Sequence, residues 1–303
     1  MKPSFLYRIL TRFLFSALVC IGFYHWPNES RLPLETLASL FANGTSQNSP
    51  AFVGGVVHET LDPTRVALLM ETRPLPFLPS LLSHFISVLE PAWVFRFVGS
   101  PVAMDLIASS GTLSRHIASG KLVLTEIPSQ YPITSQETIS DTLTNVEFYR
   151  DFLAPAEWLL VFQSDSMICA ASNHSIENWV REKYTWLGAP WNLGVTGGNG
   201  GLSLRHVPPI INLLEKEMRV AGSDWEDRWL CDRLTTMPGS NMPGPEIERH
   251  FSVEGVWTER PFGYHLRGSG KTLVPEIWGN KTRRKEIYEY CPEVKMVLNV
   301  DLP

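Results

Sequence analysis

The sequence predicts an α/β fold, a mixed and mostly parallel sheet flanked by helices. Three observations carry that expectation. From Arg65 onward, short apolar runs of strand length alternate with segments whose apolar residues recur at helical spacing. One run, Trp158-Leu-Leu-Val-Phe162, is apolar without alternation, as a strand covered on both faces must be. It delivers Gln163, Ser164, Asp165 and Ser166 where a central strand leaves its sheet, the place where open α/β sheets bind ligands.

Taken in order, the first strand is Val66-Ala-Leu-Leu-Met70, closed by Glu71-Thr-Arg73-Pro74. Leu78, Leu81, Leu82, Phe85, Ile86 and Leu89 then mark a helix. Trp93 to Val98 is a second strand, ended by Gly99-Ser-Pro101. A helix over about Ala103 to Ile117 leads to a third strand, Leu122-Val-Leu124. Ile139, Leu143, Val146, Tyr149 and Leu153 predict one further helix ahead of Pro155. After Phe162 come a short helix from Ile176 to Tyr184, then Trp186-Leu-Gly-Ala-Pro-Trp191, then the glycine block Val195-Thr-Gly197-Gly198-Asn199-Gly200-Gly201-Leu-Ser-Leu-Arg205. That block reads either as backbone open to close approach by a ligand or as a flexible loop before an edge strand. Pro208 and Pro209 start an apolar helix through Met218. Asp224 to Leu230 opens another, with Ser223 or Asp224 as its cap and Trp225, Trp229 and Leu230 on its buried face.

Composition narrows the function classes. The 303 residues are 44% hydrophobic and 19% charged, enough apolar material for a sizeable core. A net charge of −5 and the lack of any Lys/Arg run of five argue against a nucleic-acid surface. No GxGxxG or GxxxxGK[ST] occurs, so neither a dinucleotide fold nor a P-loop enzyme is supported. Of the 4 cysteines, Cys20 lies in the apolar N-terminal segment; Cys169, Cys231 and Cys291 allow at most one intramolecular bridge and a spare thiol.

The N-terminus has its own chemistry. Lys2, Arg8 and Arg12 precede an uncharged run from Phe13 to Trp26. With Arg8 and Arg12 snorkelling, a helix from Phe5 to Trp26 would reach roughly 33 Å at ~1.5 Å per residue, enough to span a bilayer. Bulky Phe23, Tyr24, His25 and Trp26 stand where a signal peptidase requires small residues, which favours an uncleaved type II anchor over a cleaved signal peptide. The basic end is then cytosolic and the body lumenal. Sequons at Asn28, Asn43, Asn173 and Asn280 all fall on the lumenal side. The predicted organisation is a tail at 1–12, an anchor at 13–26 that extends back to 5 if the arginines snorkel, a stem at 27–61 and a single domain at 62–303. Residence in the endoplasmic reticulum or Golgi membrane follows, with secretion as the alternative if the segment is cleaved.

Two acidic positions stand out. Asp165, beside Ser164 and Ser166 at a strand end, suits a hard divalent cation shared with a phosphate; it equally suits a turn cap. Glu226 and Asp227, in the first turn of a helix, suit the helix dipole, or catalysis if they face a cleft.

With its pieces in order the chain resembles a glycosyltransferase of the GT-A kind, with a Rossmann-like sheet. More closely it resembles the largely fungal glycosyltransferase-like family known as domain of unknown function 5672. The residues that carry the resemblance are the Arg65-to-Pro74 strand, Phe162-Gln-Ser-Asp165-Ser, Leu187-Gly-Ala-Pro-Trp191, Gly198-Asn-Gly-Gly-Leu-Ser-Leu-Arg205, Trp225-Glu-Asp227 and Phe262-Gly-Tyr-His265, within about residues 62 to 275. It implies a metal-assisted transfer from a nucleotide-sugar donor to a glycan, lipid or protein acceptor, with Mn²⁺ or Mg²⁺ as the metal; the alternative is a non-catalytic sugar- or nucleotide-binding protein on the same fold. The Asp-x-Asp motif usual in such enzymes stands here as Gln163-Ser164-Asp165, with an amide, a weaker ligand, in place of the first carboxylate. The resemblance places the metal on Asp165 and His265, and the catalytic base on Asp227, with Glu226 second. It assigns donor contacts to Glu71, Arg73, Gln163, Ser164 and Ser166. Trp191, Gly198, Asn199, Gly200 and Gly201 would border donor sugar and acceptor.

Overall fold

Parallel pairing dominates the main sheet. The computed structural model describes residues 60–268 and 270–298. The expected tail and anchor, all of the stem but its last two residues, and the sequons Asn28 and Asn43 lie outside the described residues. Among the described residues, no helix is long and apolar enough to cross a membrane.

The sheet runs β3-β2-β1-β4-β7-β6. Its parallel half is β1 (Asp62–Glu71), β2 (Trp93–Gly99), β3 (Leu122–Glu126) and β4 (Trp158–Phe162). β7 (Gly198–His206) runs antiparallel to β4 and to the edge strand β6 (Trp186–Pro190). Alternation along each strand builds a core on both faces. Leu69, Leu160 and Phe162 pack with Phe85 and Phe95 on one side. Leu68, Leu159 and Val161 pack with Trp186, Trp229 and Leu230 on the other. Each such side chain, removed from water, contributes about 1.5–3 kcal/mol, which is why the uninterrupted apolar runs become central strands.

Helices cover these faces. α1 (Leu78–Val88) buries Leu78, Leu81, Leu82, Phe85 and Ile86, five of the six residues its spacing predicted; Leu89, also buried, is its extended C-cap. The expected helix from Ala103 to Ile117 is instead two, α2 (Pro101–Ala108) and α3 (Ser114–Ala118). Between them the Ser109 hydroxyl binds the Leu106 carbonyl and Gly111 supplies no side chain to pack. The helix predicted through Leu153 also breaks. α4 (Gln136–Leu143) ends where the Asn145 side chain accepts from the amides of Glu147 and Phe148, starting a separate π-helical turn at Phe148–Phe152. α5 (Ile176–Arg181) stops short of Tyr184.

Three further corrections concern the second half. The glycine block precedes no edge: it is itself the central strand β7, because Trp186–Pro190, with no strand expected there, takes the edge. α6 (Val207–Leu214) ends four residues before Met218, which is 86% exposed. α7 (Glu226–Leu234) begins at Glu226, with extended Trp225 at the capping position and no side-chain cap from Ser223 or Asp224. The Ser140 hydroxyl accepts from the Glu226 amide instead. Trp225 is therefore outside the helix, and it is 58% exposed rather than buried with Trp229 and Leu230.

α8 (Pro245–Phe251) leads into a small second sheet of order β5-β9-β8, formed by β5 (Ser166–Ile168), β8 (Ser252–Val253) and β9 (Gly263–His265). The chain closes with α9 (Pro275–Trp278) and α10 (Lys281–Tyr290). Cys169, just after β5, is disulfide-bonded to Cys291, just after α10, and Cys231 is free and buried.

Candidate active site

β1 and β4 run side by side and end together, so Glu71 and Gln163-Ser164-Asp165 reach the same rim of the sheet. There they line a cavity of about 1540 Å³ with residues from β7, α4, α7 and β9. Two charged clusters share it, separated by the backbone of Gly200 and Gly201.

The first cluster centres on His265. Its Nε2 lies 3.3 Å from Gln163 Oε1 and 3.4 Å from Asp165 Oδ1. Its Nδ1 lies 3.3 Å from Glu254 Oε2, and Glu254 Oε1 accepts from Arg267 at 2.5 and 2.6 Å. Burial pushes the His265 pKa down, but the carboxylates of Asp165 and Glu254 outweigh it and raise the pKa to about 9. Among the described residues, no group of three His, Cys, Asp or Glu is placed to hold a metal. The convergent set is one carboxylate, one imidazole and one amide oxygen.

Beside it, Glu71 accepts from Arg73 Nε (2.8 Å), Arg73 Nη2 (2.7 Å) and the Ser164 hydroxyl (2.9 Å). Burial opposes its charge, yet Arg73 and Ser164 hold the carboxyl below its usual range. The Arg73 side chain, 64% exposed, thus presents a fixed positive charge to the cavity.

The second cluster lies against Gly200. Asp227 Oδ2 accepts from the Gly200 amide at 3.1 Å and Oδ1 from the Arg228 amide at 2.8 Å. Burial raises its pKa against the pull of those amides. Glu226 is tied to the buried Arg205 guanidinium at 2.9 Å. Arg205 also donates to Ser203 Oγ (3.0 Å) and to the Tyr149 hydroxyl (3.1 Å). Burial and the neighbouring Asp227 charge raise Glu226 as well, with Arg205 opposing. Asp227, held only by backbone amides, is the acid of the pair left with capacity toward the cavity.

Twelve of the fourteen expected catalytic, metal, donor and acceptor residues line this one cavity; Ser166 and Gly198 do not. Ser166 is fully buried, and its hydroxyl donates to the Gly201 carbonyl at 2.7 Å, locking β5 to β7. Gly198 faces the strand pairing: a Cβ there would lie 2.5 Å from the Ala189 carbonyl oxygen. Trp191 is half-buried under the Arg228 guanidinium, 5.2 Å from its ring centroid. Asn173 and Asn280 are exposed, and Asn280 also caps α10. Sequence reasoning missed Glu254, Arg267 and Trp225, and gave Arg205 no role although it ends the glycine block. The signal for Arg205 was a cation inside an apolar strand, which needs a buried acid.

No curated protein matches the chain. Several solved structures do, and the chain spans about half to three fifths of their length. The mannosyltransferase Ktr4p from S. cerevisiae is 9% identical, with a TM-score of 0.32, over 55% of this chain and 51% of that one. The mannosyltransferase PcManGT from Pyrobaculum calidifontis, in complex with GDP-Man and Mn²⁺, is 13% identical, with a TM-score of 0.37, over 56% and 52%. The glycosyltransferase GlyE in Streptococcus pneumoniae TIGR4 is 11% identical, with a TM-score of 0.42, over 78% and 63%. The family model described as a protein of unknown function, DUF5672, matches residues 121–265, from just before β3 to His265.

Proposed function

We propose that the domain is a glycosyltransferase that moves a sugar from a nucleotide-sugar donor to an acceptor hydroxyl. One observation carries this reading: one cavity at the carboxyl ends of β1 and β4 holds a cation-binding set against Gly201 and a raised-pKa carboxylate against Gly200.

The donor chemistry of the first cluster fits Mn²⁺ or Mg²⁺. Asp165, Gln163 and His265 Nε2 converge, while Glu254 holds the opposite ring nitrogen, as such an imidazole requires. Three protein ligands, one of them a neutral amide, leave positions for diphosphate oxygens. A cation there would offset the charge that develops on the departing diphosphate. Arg73, oriented by Glu71, binds the phosphates. Asp227 takes the proton from the acceptor hydroxyl, whose oxygen bonds to the anomeric carbon. The bond from that carbon to the diphosphate oxygen breaks, and its electron pair leaves with the nucleoside diphosphate.

The same reading places the domain in the lumen of the endoplasmic reticulum or Golgi, behind a single-pass type II anchor. Its support is the basic-flanked N-terminal segment, the exposed sequons and the Cys169–Cys291 disulfide, a bond at home in an oxidising compartment.

Gln163, an amide in place of a carboxylate, favours a second reading, a nucleotide-sugar-binding protein without turnover. A panel of nucleotide-sugars incubated with the protein and Mn²⁺, assayed for release of nucleoside diphosphate, separates the two. Release that depends on Asp227 supports the transferase; saturable binding without release selects the second reading. Neither binding nor release sinks both.

A further inference from the structure

The glycosyltransferase reading leaves the acceptor unnamed, and Trp225 narrows it. This residue lines the cavity two positions ahead of Asp227, yet 58% of its surface is exposed. Its position is fixed from both sides. Arg219, with a side chain only 1% exposed, donates to Asp141 at 2.7 Å and to Glu137 at 2.9 and 3.0 Å, on the flank of α4. The same guanidinium binds the carbonyls of Ser223 and Asp224, at 3.3 and 2.8 Å. The Gly222 amide adds a bond to Glu137 at 2.7 Å, and on the far side the Glu226 amide binds Ser140. An indole is thus held at the mouth of the site by backbone anchored before and after it, without being packed away.

A rigid, exposed aromatic surface loses little freedom when a ligand covers it. The residues next to it in sequence that also line the cavity, Ser223, Asp224, Asp227 and Arg228, are polar. A flat apolar face beside carboxylates and a guanidinium matches a ring that has a C–H face and a rim of hydroxyls. We infer that Trp225 is the stacking platform for a hexopyranose acceptor, presenting a sugar hydroxyl to Asp227, so that the acceptor is a glycan. This inference rests on the glycosyltransferase reading for the role of Asp227.

The test uses the full-length chain labelled with 5-fluorotryptophan, in which the ¹⁹F signal of Trp225 is identified by its loss in Trp225→Phe. Methyl α-D-mannopyranoside, methyl β-D-glucopyranoside and methyl β-D-galactopyranoside are titrated singly. GDP and UDP are titrated separately with Mn²⁺. At least one glycoside is expected to move the Trp225 signal saturably. Trp225→Ala should weaken that glycoside by about tenfold or more, while Trp225→Phe, which keeps a ring, stays within about threefold. Nucleotide affinity should be unchanged in both variants. The inference is overturned if no glycoside moves the signal. It is equally overturned if Trp225→Ala loses nucleotide affinity instead, which would make the indole a platform for the donor base. Failure of both nucleotides to bind the wild type, with a glycoside still moving Trp225, sinks the transferase reading and upholds the platform.

Discussion

A Cβ placed on Gly201 would lie 2.3 Å from Nε2 of His265, closer than any van der Waals contact. The imidazole therefore occupies the space that a side chain on β7 would fill, and the cation-binding set exists only because residue 201 has none. Gly201→Ala should displace the ring and weaken Mn²⁺-dependent nucleotide binding by about tenfold or more. Gly255→Ala, at a position with open space around it, is the control and should bind normally. Isothermal titration of GDP or UDP with Mn²⁺ measures both.

Asp165 is the carboxylate of that set. Asp165→Asn should lower Mn²⁺-dependent nucleotide affinity by about tenfold or more while the melting temperature holds. The opposite pattern, intact binding with a loss of about 0.5–2 kcal/mol of stability, would make Asp165 a turn cap.

Glu226 and Asp227 are adjacent, and their substitutions should separate. Asp227→Asn should keep the fold and nucleotide binding while sugar transfer falls by about 10²-fold or more. Glu226→Gln leaves the fully buried Arg205 without its ionic partner, a loss of about 3 kcal/mol on unfolding by urea. Transfer by Asp227→Asn within a fewfold of wild type would remove it as the base.

Glu248 predicts a pH dependence away from the site. It is fully buried, and neither carboxylate oxygen makes a hydrogen bond of good geometry. Burial raises its pKa from 4.5 to about 8, with the nearby Gly197 amide pulling the other way. The folded state thus holds this proton more tightly than the unfolded chain does. Stability from this group is full below about pH 4.5 and is lost as pH rises through about 8. Between pH 5 and 8 the wild type should lose about 3 kcal/mol through Glu248, a slope that Glu248→Gln should lack. Urea unfolding of both proteins across that range is the measurement, and parallel profiles would refute the assignment.

Topology can be checked without activity. The full-length protein should resist carbonate extraction and shift in size after endoglycosidase treatment. Asn173→Gln should remove part of that shift. A soluble, unglycosylated product whose N-terminus begins near Pro27 would overturn the anchor.

The sequence by itself determined β1 and β4, because an unbroken apolar run has no stable place except between two covered faces, and β2, whose apolar run is broken only by Arg96. Chain adjacency alone then put Asp165 and Glu71 at strand ends, and parallel strands bring such ends to one rim. The breaks in the helices were also written locally, in Asn145 and in the serines and glycine after Ala108, but helical spacing outweighed them in the reading. Only the tertiary structure decided the rest. β8 and β9 are two and three residues long, too short to read as strands, yet their parallel register pairs Val253 with Tyr264 and so sets Glu254 beside His265. The glycine block became a central strand because Trp186–Pro190 closed the edge beyond it. Trp225 left the apolar face assigned to it because Arg219 and Ser140 fix the chain on either side, so that the helix starts one or two residues later than expected. Periodicity describes a residue's place within an element, and contacts between elements decided where this element began.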